Sequence, residues 1–192
     1  MTKTLGYSVF STEIGPCAVA WGAEALTAVQ LPEGSEAAAR ARMNRRFPNA
    51  PEVAPPPFVE SAIAGIRALL AGAKRDLADV PVDTDALSGF ARQVYAVARA
   101  IPPGETMTYG EIAARLGDPG AARAVGEAMG HNPFPIVVPC HRVLAAGGRL
   151  GGFSAHGGAS TKLRLLEIEG AAIGEPAPLF GDLPRALRPG RR

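Results

Sequence analysis

The sequence predicts an α/β N-terminal half followed by a mainly helical C-terminal half that carries a helix-turn-helix. Three observations predict it. Residues 5 to 31 hold three short runs rich in Val, Tyr, Phe, Trp and Leu. Two stretches behind them carry helix formers or apolar residues at helical spacing. Further on, two short helical patterns are joined by Gly117-Asp118-Pro119-Gly120, and two helices around a Gly-containing turn make the helix-turn-helix shape.

The three runs, at about 5–11, 16–22 and 25–31, are broken by Ile14-Gly15-Pro16 and Gly22-Ala23-Glu24. Such spacing predicts an antiparallel meander. Ser35 to Arg46 is rich in helix formers behind a Ser cap, and Phe47-Pro48-Asn49 stops it. After the connector Pro48 to Pro57, Phe58 to Leu70 places Ile63, Ile66, Leu69 and Leu70 at helical spacing, ended by Gly72. Val80-Pro81-Val82 is assigned as one more short strand, completing a small α/β domain over residues 1–87.

Phe90, Val94, Val97 and Ala98 mark a helix from about Ser88 to Ala100, which opens a second domain, residues 88–170. Thr108-Tyr109-Gly110-Glu111 starts the next helix, with Tyr109, Ile112, Ala113 and Leu116 on its inner face. From Ala121 to about Gly130 a second helix buries Ala124, Val125, Ala128 and Met129 and turns Ala122, Arg123 and Gly126 outward. A glycine inside a helix costs about 1 kcal/mol relative to Ala. Gly126 therefore asks for a reason, and close approach of another backbone, a nucleic-acid phosphate or a neighbouring helix, is one. Residues 171–192, with Pro176, Pro178, Pro184, Pro189 and a final Gly-Arg-Arg, are expected to form a loosely held tail.

Composition narrows the function classes. The chain of 192 residues is 47% hydrophobic and 20% charged, with mean hydropathy +0.08, which excludes wholesale disorder. No apolar run reaches the roughly 18 residues of a membrane span, and the N-terminus lacks the apolar stretch of a signal peptide, so a cytoplasmic protein is expected. Cys17 and Cys140 with His131, His141 and His156 make neither a disulfide framework nor a zinc cluster; no metal is expected. Residues 1–87 hold 8 Lys+Arg against 10 Asp+Glu, whereas 88–192 hold 12 against 8, so the C-terminal half is the better candidate to meet a polyanion.

The most informative segment runs from His131-Asn132-Pro133-Phe134-Pro135 through Ile136-Val137-Val138-Pro139 to Cys140-His141-Arg142-Val143. Its prolines forbid a regular helix before Pro139. It reads as an extended buried run that delivers Cys140 to the start of a turn, where backbone N–H groups favour a thiolate. A free thiol is only about 3% ionised at pH 7, so a nucleophilic cysteine needs such help, with His141 adjacent and Arg142 adding positive charge.

The pattern Asn132-Pro-x-Pro-Ile-x-x-Pro-Cys-His-Arg-Val143, preceded by Arg123-Ala-Val-Gly126 and Thr108-Tyr109, resembles the O6-alkylguanine-DNA alkyltransferases. The resemblance spans about Phe90 to Gly170 and keeps the order and spacing of every motif. It implies a ribonuclease-H-like N-terminal domain, matched only in element order and size. For the C-terminal domain it implies a winged-helix-like fold. The implied activity is irreversible, single-turnover transfer of an alkyl group from O6 of guanine, with O4-alkylthymine as a second substrate, to Cys140. The implied partner is double-stranded DNA, bound by a monomer without a cofactor. His141 would act as base through a water, oriented by Glu169; Tyr109 would donate to the guanine; Asn132 would fix the turn before Cys140 and support its thiolate. Arg123 would fill the stack vacated by a flipped nucleotide. Ala121, Ala122 and Gly126, with Thr108, would lie against the DNA. Met129, Ser154 and the carbonyls of Cys140 and Val143 would receive the base. Relatives that only sense alkylated DNA replace the cysteine, and regulators carry a fused metal-binding module; Cys140 is present and no such module is.

Overall fold

The computed structural model describes residues 3–172, so the tail from 173 onward lies outside the described residues. The meander forms as expected. β1 (Gly6–Phe10), β2 (Cys17–Trp21) and β3 (Leu26–Gln30) make an antiparallel sheet in that order. Alternation along β2 splits its side chains between two layers. Ala18 and Ala20 face a small core with Tyr7, Ala28 and Met43, while Cys17, Val19 and Trp21 face the main core. The first layer is closed by α1 (Glu36–Arg46), whose Ser35 cap accepts the Ala38 N–H. On the other side lies α2 (Pro57–Leu70), which starts on a proline and buries Val59, Ile63, Ile66, Leu69 and Leu70.

Val80-Pro81-Val82 is not a strand. Leu26 donates to the Pro81 carbonyl at 2.9 Å and accepts from the Asp83 N–H at 2.8 Å, leaving a single bridge to Val82. Pro81 has no N–H with which to extend the ladder.

The C-terminal half begins with α3 (Gly89–Arg99), capped by Ser88. β4 (Met107–Thr108) leads into α4 (Tyr109–Arg115), and a 3-10 turn, Pro119–Ala121, leads into α5 (Ala122–Gly130). α5 therefore starts one residue later than its sequence pattern suggested. It buries Val125 and Met129, whereas Ala124, expected inside, is exposed. One step along a helix is about 100°, which carries Ala124 off the short stripe that meets α3 and α4. A second 3-10 turn, Cys140–Arg142, precedes β5 (Val143–Leu144), and α6 (Gly158–Glu169) closes the half. α6 had no counterpart in the sequence reading.

The halves share one core. A single apolar cluster runs from Phe10 and Trp21 through Leu70, Val94 and Ile112 to Val138 and Leu165. Polar ties cross the same boundary: Val29 N–H donates to the Pro133 carbonyl at 2.9 Å, and Arg164 Nη2 to the Glu13 carbonyl at 2.8 Å. Arg99 Nη2 reaches the carbonyls of Ala78 and Val80, each at 2.7 Å.

Candidate active site

Cys140 is the first residue of its 3-10 turn and is buried at 8% exposure. The loop that delivers it is pinned by Asn132, whose Nδ2 donates to the Val138 carbonyl at 2.8 Å and whose Oδ1 accepts the Phe134 N–H at 2.9 Å. Inside that loop Ile136 is held at φ 76°. A buried β-branched side chain there stores strain on the order of 1–3 kcal/mol. Parallel pairing of β4 with β5, Met107 opposite Val143 and Thr108 opposite Leu144, brings the start of α4 beside the cysteine turn. Thr108 caps α4 in a reciprocal box with Glu111. That box commits its hydroxyl to the helix and fixes Tyr109 as the first helical residue.

Behind the cysteine lies a fully buried charge cluster. His141 Nε2 is 2.9 Å from Glu169 Oε1. Arg142 grips the same carboxylate in bidentate fashion, Nε to Oε2 and Nη2 to Oε1, both at 2.8 Å. Its remaining arm donates to the Ile101 carbonyl. Burial alone would raise the Glu169 carboxyl, but the hydrogen bonds from His141 and Arg142 hold it at about 2. Burial pushes the His141 pKa down, against the pull of Glu169, so the ring is neutral at pH 7. Because an ionised carboxylate only accepts, Nε2 carries the proton and Nδ1 is a bare acceptor. Nδ1 is buried with no hydrogen-bond partner among the described residues, an acceptor left with a lone pair to spare.

This arrangement corrects the expected source of positive charge at the thiol. Arg142 is spent on Glu169. The cation that acts on Cys140 is Lys162, which sequence reasoning missed. It is buried at 0% exposure, donates through Nζ to the Val143 carbonyl, and lies 5.8 Å from the centroid of the Tyr109 ring. Burial lowers its pKa to about 8, against the pull of Cys140. Burial pushes the Cys140 thiol up, while the Asn132 side chain, Lys162 and the N–H groups of Cys140 and His141 pull it down. The resting thiol is therefore protonated and the thiolate has its partners in place. Lys162 falls at i with Leu165, Leu166 and Glu169 at i+3, i+4 and i+7, and that inward face was the available signal.

Cys140 opens into a cavity of about 460 Å³ lined by Tyr109, Gly126, Met129, Phe153 and Ser154, among others. Burial, and then the charge of Cys140, raise the Tyr109 pKa, which keeps its phenol a donor. A Cβ on Gly126 would meet only the Tyr109 ring, at 3.9 Å. No neighbouring helix therefore requires this glycine, and its bare face belongs to the cavity mouth. Ser154 lines the cavity with its hydroxyl donating to the Gly130 carbonyl at 2.9 Å. The Val143 side chain is buried away from the cavity, its carbonyl already accepting from Lys162, and the Cys140 carbonyl accepts the Val143 N–H. Arg123 is exposed and Ala121 and Ala122 are half-buried.

Fold and site together define a protein with a buried thiol on a cavity lined by residues of the two paired helices α4 and α5, next in sequence to a buried histidine–carboxylate–arginine cluster. A family model described as 6-O-methylguanine DNA methyltransferase, DNA binding domain, matches residues 89–171. A methylated-DNA–protein-cysteine methyltransferase of Mycobacterium tuberculosis is 38% identical over 176 residues, 91% of this chain and 98% of the relative. One from Methanothermobacter thermautotrophicus is 36% identical over 155 residues, 81% of this chain and 80% of the relative. Among solved structures, M. tuberculosis OGT in complex with DNA aligns at TM-score 0.69 and 37% identity, covering 86% of this chain and 93% of that one. The O6-methylguanine methyltransferase of the same organism aligns at 0.68 and 37%, covering 86% and 92%. The chain belongs to the methylated-DNA–protein-cysteine methyltransferase family.

Proposed function

We propose that this protein repairs DNA by transferring an alkyl group, methyl above all, from O6 of guanine in duplex DNA to Cys140 Sγ, once per molecule. The observation that carries this is the buried His141 beside Cys140, locked by Glu169 at 2.9 Å with Nδ1 unpartnered. A neutral imidazole so fixed accepts the thiol proton through a water. The thiolate then attacks the alkyl carbon from behind: the S–C bond forms, the O6–C bond breaks, and the electron pair leaves on guanine. The Tyr109 phenol donates to the departing base and is reprotonated, so the thiol proton ends on the guanine in net balance. A thioether is a poor leaving group, and the protein is consumed.

The base is taken from the stack into the cavity at Cys140, at a cost of a few kcal/mol. It packs on Met129 and is read by Ser154 and by the Cys140 and Val143 carbonyls. Arg123 fills the vacated stack, and Ala121, Ala122 and Gly126 let α5 lie close to the DNA backbone in the minor groove, with Thr108 flanking. Residues 1–87 act as a ribonuclease-H-like domain, a reading supported by the meander between α1 and α2. Residues 88–170 act as a winged-helix-like domain built on α4 and α5. The work is done in the cytoplasm; no helix among the described residues is long and apolar enough to cross a membrane.

The test is intact mass before and after incubation with a duplex carrying one O6-methylguanine, followed by peptide mapping. A single gain of about 14 Da on the Cys140 peptide, ceasing at one equivalent, is the expected result. Tight binding with no gain overturns transfer in favour of a non-catalytic sensor.

A further inference from the structure

Cys140 borders two cavities. Besides the base cavity, a second of about 300 Å³ shares Met129, Gly130, Phe153 and Ser154 with it and runs on past Asn132 and Pro135, beneath the edge of β3. Its far end is lined by Gln30, Arg42, Arg46 and His131, and no aspartate or glutamate lines it. Arg42 is committed to Gln30 Oε1 at 3.0 Å and Glu33 at 3.3 Å. Arg46 has neither hydrogen bond nor ion pair among the described residues; its guanidinium only stacks over Phe47, 5.2 Å from the ring centroid. Arg46 is exposed as a residue, and partial desolvation of its guanidinium, then nearby Arg42, push its pKa below the usual value.

The geometry of displacement gives this groove a use. Backside attack puts sulfur, carbon and leaving oxygen on one line, so the other substituents of the alkyl carbon radiate sideways from that line. With the base filling the first cavity, any substituent larger than hydrogen has to leave through the other cavity that opens on Cys140.

Resting on the proposed transfer to Cys140, we propose that the second groove is an alkyl subsite that selects adducts carrying a carboxylate at their far end, with Arg46 as the anion-reading residue. The reaction is unchanged: the Sγ–CH2 bond forms, the O6–CH2 bond breaks, the electron pair and the thiol proton go to guanine, and the carboxylate only orients. The N-terminal half thereby contributes to substrate choice, through residues of β3 and the last turn of α1.

Free nucleobases test this without interference from DNA phosphates. Single-turnover alkylation by O6-(4-carboxybenzyl)guanine and by the neutral O6-(4-carbamoylbenzyl)guanine is followed by intact mass in the wild type, Arg46→Gln and Arg46→Lys. A partly exposed ion pair supports up to about a fivefold effect. The acid-to-amide rate ratio is expected to fall about that much in Arg46→Gln and to recover in Arg46→Lys, which excludes misfolding as the cause. The same ratio in all three proteins, with transfer intact, overturns the subsite alone. Failure of all three to take up either group overturns the Cys140 reading with it.

Discussion

Lys162 and Glu169 lie on one face of α6, two turns apart, and hold opposite charges out of water in different ways. Glu169 is surrounded by donors, so its carboxyl falls to about 2 despite burial. Its folded value is below the ordinary carboxyl value. Its contribution, on the order of 3 kcal/mol, is thus fully present above about pH 4.5 and is lost as pH falls toward 2. Glu169→Gln leaves Arg142 buried and unpaired, and is expected to cost about 3–5 kcal/mol near neutral pH. In denaturant titrations the gap between wild type and variant should narrow below about pH 4; a pH-independent gap contradicts the assignment. Lys162 has one carbonyl, one ring face and the sulfur. Removing it as Lys162→Met takes a positive charge from the thiolate, so iodoacetamide capture of Cys140 should shift to higher pH. A purely structural lysine would lower the melting temperature and leave that profile where it is.

α5 separates stability from function at two positions, because Arg123 is exposed and Gly126 lines the cavity. Gly126→Ala adds a methyl that touches only Tyr109, at 3.9 Å. Helix propensity then predicts a gain of up to about 1 kcal/mol, a few degrees in melting temperature, alongside slower repair of duplex DNA. A variant both less stable and fully active contradicts this reading. Arg123→Ala should slow duplex repair far more than reaction with free O6-benzylguanine, for which no nucleotide is flipped; equal losses remove the stack-filling role. The same helix marks the limit of sequence reading. Its existence, its turn and the exposure of Arg123 were legible, because Gly, Pro and small residues act locally, but Ala122, read as outward, is half-buried and packs against the main core. Ala124 was not, since a nine-residue helix holds too few turns to centre its buried stripe. The motif around Cys140 was legible as chemistry, but the allocation of charge behind it was not. Which cation serves Glu169 and which serves the sulfur depends on where α6 docks, and Gly157 and Gly158 at its start, with Lys162 inside, hid that helix from a periodicity argument. Val80-Pro81-Val82 failed for the opposite reason: its β-branched residues suit a strand, but pairing needs the donor that Pro81 lacks.

At the scale of the molecule, a boundary near residue 88 is plain in sequence and absent in packing. Trp21, Leu26 and Leu70 belong to the same apolar cluster as Val94, Ile112 and Leu165. The Val29–Pro133 hydrogen bond ties the edge of the sheet directly to the loop that Asn132 pins. Arg99 adds a tie from the end of α3 to the carbonyls of Ala78 and Val80, with its Nε buried and without a hydrogen-bond partner among the described residues. Halves joined in this way share most of their burial energy, and neither keeps its apolar face covered without the other. The expected outcome is one cooperative unfolding transition. Trp21 is the only tryptophan in the chain and lies 4% exposed in the N-terminal half. Its fluorescence therefore reports that half, while Cys140 accessibility to a bulky thiol reagent under pulse labelling reports the other. Both probes should share one midpoint in denaturant, with calorimetric and van't Hoff enthalpies equal. A Trp21 transition that precedes exposure of Cys140 would mean that the cysteine loop keeps its shape without the sheet edge. The Val29–Pro133 tie would then be dispensable to the site.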